Sequence, residues 1–178
     1  MTAPRRSSVA AGMALAAAVG LIAACGYRLR GTGMFLPPSI KTVAVPMFKN
    51  LTTRFELDVR LTRAVIDEIV ARGRVKIEQN PEAADAVLTG EITNFTVTPL
   101  AFTSGQAAAD RYNIRVDARV VLRDRVNQKI LFSNPSFIYM EEYQVATGSD
   151  FESSETDAIV KVAEKFARSL VINMLEGF

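Results

Sequence analysis

An alternation of apolar and polar side chains between Arg111 and Arg123 is the clearest pattern in the chain. One set of alternate positions is apolar: Tyr112, Ile114, Val116, Ala118, Val120 and Leu122. The other set is polar except for Val121, and it holds Asn113, Arg115, Asp117, Arg119 and Arg123. Successive side chains of a strand point to opposite faces, so this pattern predicts a strand with one buried and one solvated face, as in an antiparallel sheet.

Two other stretches have the spacing of amphipathic helices. The first follows Thr53 and Glu56, whose spacing is that of a capping box, and it is expected to end at Gly73. Its apolar face is formed by Leu57, Leu61, Ala64, Val65 and Ile69. The second helix is expected from about Ser154 to Glu176, with an apolar stripe formed by Ile159, Val162, Ala163, Phe166, Leu170 and Met174. Each helix therefore has one face to bury.

Short β-prone stretches flank the first helix. Residues 42–47 and 74–79 predict the two strands of a β-α-β unit around it. Farther along, residues 86–98 are expected to form a long strand that ends at Pro99. The apolar positions of that strand change parity near Gly90, which predicts a β-bulge there.

The remaining segments complete the predicted sheet. Residues 101–110 are small and largely polar, which is typical of the exposed tip of a long hairpin. Two further strand stretches, 129–132 and 137–143, are separated by Asn134-Pro135. The predicted fold class is α+β, with two amphipathic helices packed on one face of a mixed, mostly antiparallel sheet of four to five strands.

The N-terminus has the pattern of an exported chain. Arg5 and Arg6 precede a small apolar run from Val9 to Ala24, which is short for a membrane span and typical of a signal peptide. The sequence Ile22-Ala23-Ala24-Cys25 resembles the lipobox of bacterial lipoproteins, whose cysteine carries diacylglycerol and acyl chains such as palmitate. The lone cysteine of the chain has no disulfide partner, which agrees with lipidation of Cys25.

This pattern predicts the division of the chain. We expect a signal peptide over residues 1–24, a lipidated N-terminus and tether over residues 25–40, and a single domain over residues 41–178. Gly26 follows the cysteine, where an Asp would resemble the inner-membrane retention signal of enteric bacteria. We therefore expect the outer membrane as the location.

Composition narrows the possible functions. The chain has 21 basic and 19 acidic residues, and the numbers become equal once Arg5 and Arg6 are removed, so charge gives no reason to expect a nucleic-acid partner. The absence of histidine removes Ser-His-Asp and Cys-His catalysis, and a lipidated Cys25 leaves no thiolate for a metal. No glycine-rich phosphate loop occurs, and no carboxylate pair stands out. We predict no enzyme activity, no cofactor and no metal.

Three features resemble the LptE-type lipopolysaccharide-assembly lipoproteins. Residues 25–30, Cys-Gly-Tyr-Arg-Leu-Arg, are similar to the segment that begins the mature chains of that family. Residues 41–73 resemble its opening β-α-β unit. Residues 102–120, with Gly105-Gln106 before the alternating strand, look like its long central hairpin, and the final helix is similar as well. The resemblance covers nearly all of the chain after the signal peptide.

The resemblance implies a role without catalysis. LptE-type proteins form a plug inside the large outer-membrane β-barrel LptD, help that barrel to fold and take part in delivering lipopolysaccharide to the cell surface. The partners implied are therefore an LptD-type barrel, lipopolysaccharide as a candidate ligand, and the membrane through acyl chains on Cys25. The implied location is the outer membrane, with the domain on the periplasmic side or within the barrel lumen.

The chain departs from the family at the tip of the hairpin. Some members have a basic residue just after the position that matches Phe102, but here it is Thr103, and residues 103–109 contain no cation. A basic residue before the last helix also has no counterpart between Tyr143 and Ser154. The candidate lipopolysaccharide or partner contacts are therefore Arg111, Arg115, Arg119 and Arg123. Arginine binds phosphate and carboxylate groups bidentately, and the alternative is a sheet surface balanced by acids on the neighbouring strands.

Another class of lipoprotein with a similar anchor and a small domain is the alternative to the LptE-type function. LpoB-type lipoprotein activators of peptidoglycan synthases also have a lipid anchor, a tether and a small α/β domain. Such an activator needs a long linker to reach the cell wall. Here about fifteen residues separate Cys25 from the first strand, a reach on the order of 50 Å when extended. This short tether favours the barrel partner.

Overall fold

The computed structural model describes residues 36–102, 109–144 and 151–176. Within these ranges the secondary-structure elements are β1 (Thr42–Ala44), β2 (Lys49–Asn50), α1 (Leu57–Arg72), β3 (Lys76–Ile77), β4 (Ala86–Phe102), β5 (Ala109–Asp124), β6 (Ile130–Gln144) and α2 (Phe151–Glu176). The predicted signal peptide, Cys25 and hairpin residues 103–108 lie outside the described residues.

The strands of this part of the chain form one mixed sheet in the order β3-β1-β4-β5-β6, with β2 beside β4. β1 is parallel to both β3 and β4, and the long strands β4, β5 and β6 form an antiparallel meander. The predicted β-α-β unit is confirmed because β1 and β3, which flank α1, are parallel neighbours. The sheet has six strands rather than four to five, since the two-residue strand β2 is too short to leave a periodic pattern.

Both helices pack on the same face of the sheet, as predicted. Alternate residues of β5, from Ile114 to Leu122, are buried on this face. On the helices, Leu61 and Val65 of α1 and Phe166 of α2 are fully buried. The ring of Phe166 meets the edge of the Phe137 ring of β6 at a centroid distance of 5.1 Å. The core therefore lies between the helix pair and this face, which we call the covered face.

The bulge in β4 lies three residues later than predicted. The register with β5 shifts between Ile92 and Asn94, so Thr93 is the extra residue. The bulge returns Phe95 to the covered face, opposite Val116. The prediction of a bulge at Gly90 was therefore wrong.

Gly90 has a different role, which depends on packing. It lies on the covered face, and a Cβ atom at this position would be 2.8 Å from three atoms of the Phe48 ring. Phe48 is itself buried, with 1% of its surface exposed. Because Gly90 has no side chain, the Phe48 ring can lie directly against the sheet at this position.

The ends of the helices differ in part from the prediction. α1 begins at Leu57, and its N-cap residue Glu56 has φ 58° with no side-chain capping bond, so the predicted capping box of Thr53 and Glu56 is absent. The predicted end of the helix is confirmed, because Gly73 has φ 62° and donates its N–H to the Val70 carbonyl at 3.1 Å. The last helix begins at Phe151, earlier than predicted.

Proline does not end the long strands. β4 continues through Pro99 to Phe102, and β6 continues through Pro135 with a shift of register against β5. β6 is the last strand in the order of the sheet, and β2 lies beside β4 only at Glu91 and Ile92. Both prolines therefore lie where no other described strand pairs with that side of the strand, so no N–H donor is needed there. The predicted end at Pro99 and the predicted break at Pro135 were wrong.

Candidate functional site

The face of the sheet opposite the helices, which we call the open face, holds the four predicted arginines. Arg111, Arg115, Arg119 and Arg123 lie on β5 at every fourth residue, so they share the face opposite the buried positions. None of the described helices covers this face. The structure therefore brings the four candidate residues together in one row, as the alternation predicts.

Arg119 forms the centre of a charged group that spans three strands. Its Nη1 atom is 2.6 Å from Oε2 of Glu91, the residue directly opposite it on β4. The other oxygen of the same carboxylate is 3.9 Å from Nζ of Lys49 on β2. All three side chains are partly exposed to solvent, so the pairs are surface ion pairs, which usually contribute little to stability.

Arg115 is held within its own strand. Its Nε and Nη2 atoms donate to the two carboxylate oxygens of Asp117, at 2.7 and 3.0 Å. These hydrogen bonds raise the pKa of the Arg115 guanidinium, so it stays charged over the whole working range of pH. Asn94 of β4 donates to the same carboxylate at 3.4 Å and fixes its position from the other side. Arg115 is therefore the most firmly oriented arginine of the row.

The two outer arginines are held more loosely. Nη1 of Arg111 is 3.2 Å from Oε1 of Glu142 on β6, and both side chains are about half exposed. Nη1 of Arg123 donates to the backbone carbonyl of Gln128 at 3.3 Å, and no ion pair to it occurs in the described ranges. Three of the four arginines thus have a carboxylate partner, and two of these partners, Glu91 and Glu142, lie on neighbouring strands, as the alternative of a balanced surface predicts. A role of the row in binding lipopolysaccharide or a protein stays a prediction.

A second polar cluster, which the sequence analysis did not predict, lies beside the middle of the long β4–β5 hairpin. Nη1 of Arg54 is 3.2 Å from Oε2 of Glu155, which comes 101 residues later and is only 9% exposed. The Arg54 guanidinium also lies 6.0 Å from the centre of the Phe95 ring. The backbone of the Arg54 loop is fixed by Asn50, whose amide donates to the Arg54 carbonyl at 2.7 Å. This cluster joins the start of α2 to the loop before α1.

Tyr143 completes the polar cluster. It stacks on Tyr112 with a centroid distance of 5.5 Å. Its hydroxyl is buried and has no hydrogen-bond partner within the described ranges. Burial, together with the negative charge of Glu155, raises the pKa of Tyr143 to about 12. The phenol therefore stays protonated in the folded protein.

A groove of about 520 Å³ runs between the two helices on their outer side. Its floor is made of small side chains, Ala64 and Ala163, and Val59 and Val160 lie at its rim. The charged side chains along it are paired in part, since Nε of Arg63 is 3.1 Å from Asp67.

In the described part of the chain no cluster of acidic or cysteine side chains has the geometry of a metal site. No described helix is both long enough and apolar enough to cross a bilayer.

These features define a class of protein: a small α+β domain with two helices on one face of a mixed sheet and a charged open face that no described helix covers. The sequence profile of the family described as lipopolysaccharide-assembly, LptE, matches residues 40–174. The match covers more than half of the chain, and the chain belongs to the LptE family. This family is a non-enzymatic lipoprotein family.

Several solved structures are similar to this chain at low sequence identity, and one of them, with a TM-score above 0.5, supports the fold. A protein from Xanthomonas campestris matches 79% of this chain and 90% of its own chain, with 11% identity and a TM-score of 0.52. Lipoprotein B from Nitrosomonas europaea covers 83% of this chain and 91% of its own, with 13% identity and a TM-score of 0.46. Rare lipoprotein B from Shewanella oneidensis covers 74% and 94%, with 14% identity and a TM-score of 0.43. No curated protein matches the chain at a significant level of sequence similarity.

Proposed function

We propose that this protein is an outer-membrane lipoprotein that binds an LptD-type β-barrel as its plug and assembly partner in the transport of lipopolysaccharide to the cell surface. The observation on which this proposal rests is the family match over residues 40–174. The lipobox-like sequence that ends in Cys25 supports anchoring of the mature chain by acyl chains. An α+β domain with a polar open face also suits the water-filled lumen of a large barrel.

The arginine row of the open face is the proposed contact for an anionic group of lipopolysaccharide or of the barrel wall. Exposed ion pairs such as Arg119–Glu91 contribute about 0–1 kcal/mol, so an incoming phosphate or carboxylate replaces the acid at small cost. The β-strand keeps the guanidinium groups in one row before any ligand arrives. The same row therefore serves as a balanced surface in the free domain and as an anion contact in a complex.

The proposal is tested by isolating the tagged, full-length protein from outer-membrane extracts in a mild detergent and identifying the bound proteins by mass spectrometry. We expect a large β-barrel protein in stoichiometric amount that survives washing. Recovery of a peptidoglycan synthase without a barrel would contradict the proposal and favour the activator function. Intact-mass measurement of the same preparation tests lipidation at Cys25.

A matched pair of variants tests the arginine row in the same extracts. Arg119→Gln removes a cation from the open face, and Arg63→Gln removes one from the outer side of α1, where it is likewise paired with a single acid. We expect Arg119→Gln to recover less barrel or less lipopolysaccharide than the unmodified protein. Arg63→Gln is expected to behave like the unmodified protein, and equal losses in both variants would contradict a specific role of the open face.

A further inference from the structure

One end of the sheet carries a row of cations that extends across its strands. The Lys76 N–H on β3 donates to the Lys41 carbonyl at 2.9 Å, and the Lys41 N–H donates to Oδ2 of Asp85 at 2.9 Å. The Arg125 N–H donates to the Asp85 carbonyl at 2.9 Å. These bonds place neighbouring strand ends side by side. We call this end the cationic edge, and its cations are Lys41, Lys76, Arg123, Arg125 and Lys129.

The two carboxylates within the cationic edge are occupied by their own strand ends and turn. Oδ2 of Asp85 accepts the N–H groups of Lys41 and Thr42 at 2.9 Å and the Thr42 hydroxyl at 3.0 Å. Asp124 accepts the backbone N–H and the side-chain amide of Asn127 at 2.9 and 2.8 Å. These donors lower the pKa of both carboxyl groups, that of Asp85 chiefly through the Lys41 N–H and that of Asp124 chiefly through the Asn127 amide. Both carboxylates thus bind backbone groups, and the charge of Lys41 also lowers the pKa of Asp85.

The lysine side chains of the cationic edge are exposed, and in the described ranges they form no ion pair. They are Lys41, Lys76 and Lys129. The β5–β6 turn adds apolar surface, because Val126 is 68% exposed and Ile130 is 49% exposed. One exposed acid, Glu82, lies in the loop before β4. Unpaired cations beside exposed apolar side chains are the composition of a surface that binds an anionic membrane interface.

The short chain between Cys25 and the domain indicates which membrane the cationic edge can reach. The described chain begins at Leu36, five residues before Lys41 of the cationic edge. The residues between Cys25 and Leu36 span at most about 40 Å when fully extended. A lipid anchor at Cys25 therefore keeps this edge within reach of the anchoring membrane.

We propose that, while the domain is not bound to a barrel, the cationic edge lies against the anionic phospholipid headgroups of the membrane in which Cys25 is anchored, with Val126 at the interface. The proposal rests on the lipid anchor proposed above. Acyl chains together with a basic patch give more stable membrane binding than one weak signal alone. The contact would orient the domain, with the cationic edge toward the bilayer and the start of α1 away from it.

The test uses a fluorescent reporter, because the chain has no tryptophan. The Val126→Trp variant is produced in a Gram-negative host, and intact mass establishes its lipidation. It is then placed in vesicles of phosphatidylcholine alone or of phosphatidylcholine with phosphatidylglycerol. We expect a blue shift of the tryptophan emission in the anionic vesicles, and we expect high salt to reverse it.

A matched variant at the other end of α1 provides the control. Phe55 is 84% exposed and precedes α1, whose sixteen residues separate it by about 24 Å from the end of the helix near the cationic edge. We expect the emission of Phe55→Trp to be the same in both kinds of vesicle. Equal emission of Val126→Trp in the two kinds of vesicle, or equal shifts in both variants, would overturn the proposal.

Charge variants and chemical labelling give readouts that do not depend on Val126→Trp folding correctly. Removing Lys41 and Lys129 together by substitution with Gln is expected to reduce the equilibrium constant for contact with the membrane by about five-fold per cation. In the unmodified protein, a water-soluble amine reagent should label Lys41 and Lys129 more slowly in anionic than in neutral vesicles, while Lys161 on α2 is labelled equally in both. Unchanged labelling of all three lysines would contradict the proposal. A failure of lipidation is seen separately in the intact mass.

Discussion

The two faces of the sheet differ in the contacts that their side chains make. On the covered face, apolar side chains such as Leu88, Ile114 and Leu122 are completely buried. On the open face, Arg119, Glu91 and Lys49 form exposed ion pairs between neighbouring strands. The packing of the covered face depends on the shapes of its side chains. The ion pairs of the open face depend on the register of its strands. Mutations should therefore have large effects on stability on the first face and small effects on the second.

The largest expected effect is at Phe166 of α2, which packs against the covered face. This side chain is fully buried and meets the rings of Phe137 and Tyr139 at centroid distances of 5.1 and 6.4 Å. Phe166→Ala is expected to lower the free energy of unfolding by about 3–5 kcal/mol, because it leaves a cavity. Urea unfolding followed by circular dichroism measures this change. Phe55→Ala, at an exposed phenylalanine, is the matched control, with an expected change below about 0.5 kcal/mol.

A smaller loss is expected at Gly90, where the change adds an atom. The new methyl group of Gly90→Ala would be 2.8 Å from the Phe48 ring, and overpacking of this kind costs about 1–3 kcal/mol. Urea unfolding again measures the loss, and Thr89→Ala, at the exposed neighbouring residue, is the control. Phe48→Leu should reduce the cost of Gly90→Ala when the two are combined. Strictly additive costs would contradict the proposed packing of Phe48 on Gly90.

The rim of the covered face should respond to alkaline pH. Burial is the main cause that raises the pKa values of Tyr139 and Tyr143 to about 12 from the ordinary 10.0. Below pH 10 both phenols are protonated in the folded and unfolded states, so the stability is full. Between pH 10 and about 12 the unfolded chain releases protons that the folded protein retains, so the stability falls as pH rises. Urea midpoints measured across this range should decrease, and the decrease should be smaller in Tyr139→Phe and Tyr143→Phe.

The smallest effect on stability is expected on the open face. Arg119→Gln breaks the ion pair with Glu91 but is expected to lower the free energy of unfolding by less than about 1 kcal/mol, because both side chains are exposed. The effect should shrink further as salt is added. A loss comparable to that of Phe166→Ala would show that the two faces do not differ as described. A lower recovery of the partner with Arg119→Gln should therefore reflect the lost contact and not a loss of stability.

The sequence predicted the covered face more fully than the open face, for physical reasons. Burial requires apolar residues at a fixed period, so the inward positions of β5 and the stripe of α2 are visible without a structure. The end of α1 at Gly73 was also predictable, because the left-handed conformation there favours glycine. These features depend on neighbouring residues in the chain.

The features that the sequence did not reveal depend on residues far apart in the chain. Gly90 suggested a bulge, but its small size serves Phe48, while the bulge itself is at Thr93. The pairing of Arg119 with Glu91 follows from the register that this bulge helps to set. The arginine row was therefore predictable as a row, but its acidic partners and the Arg54–Glu155 pair were not.

The arrangement of strands also has a consequence for the order of folding. β4, β5 and β6 pair with their neighbours in sequence, whereas the three residues of β1 pair with β3 and β4, which follow only after α1. Closing the longer loops costs more chain entropy, so the meander is expected to form before β1 docks. Amide hydrogens at the centre of β5 should then exchange most slowly with solvent, and those of β1 should exchange faster. Destabilising substitutions in β1 should accelerate unfolding while leaving the folding rate nearly unchanged.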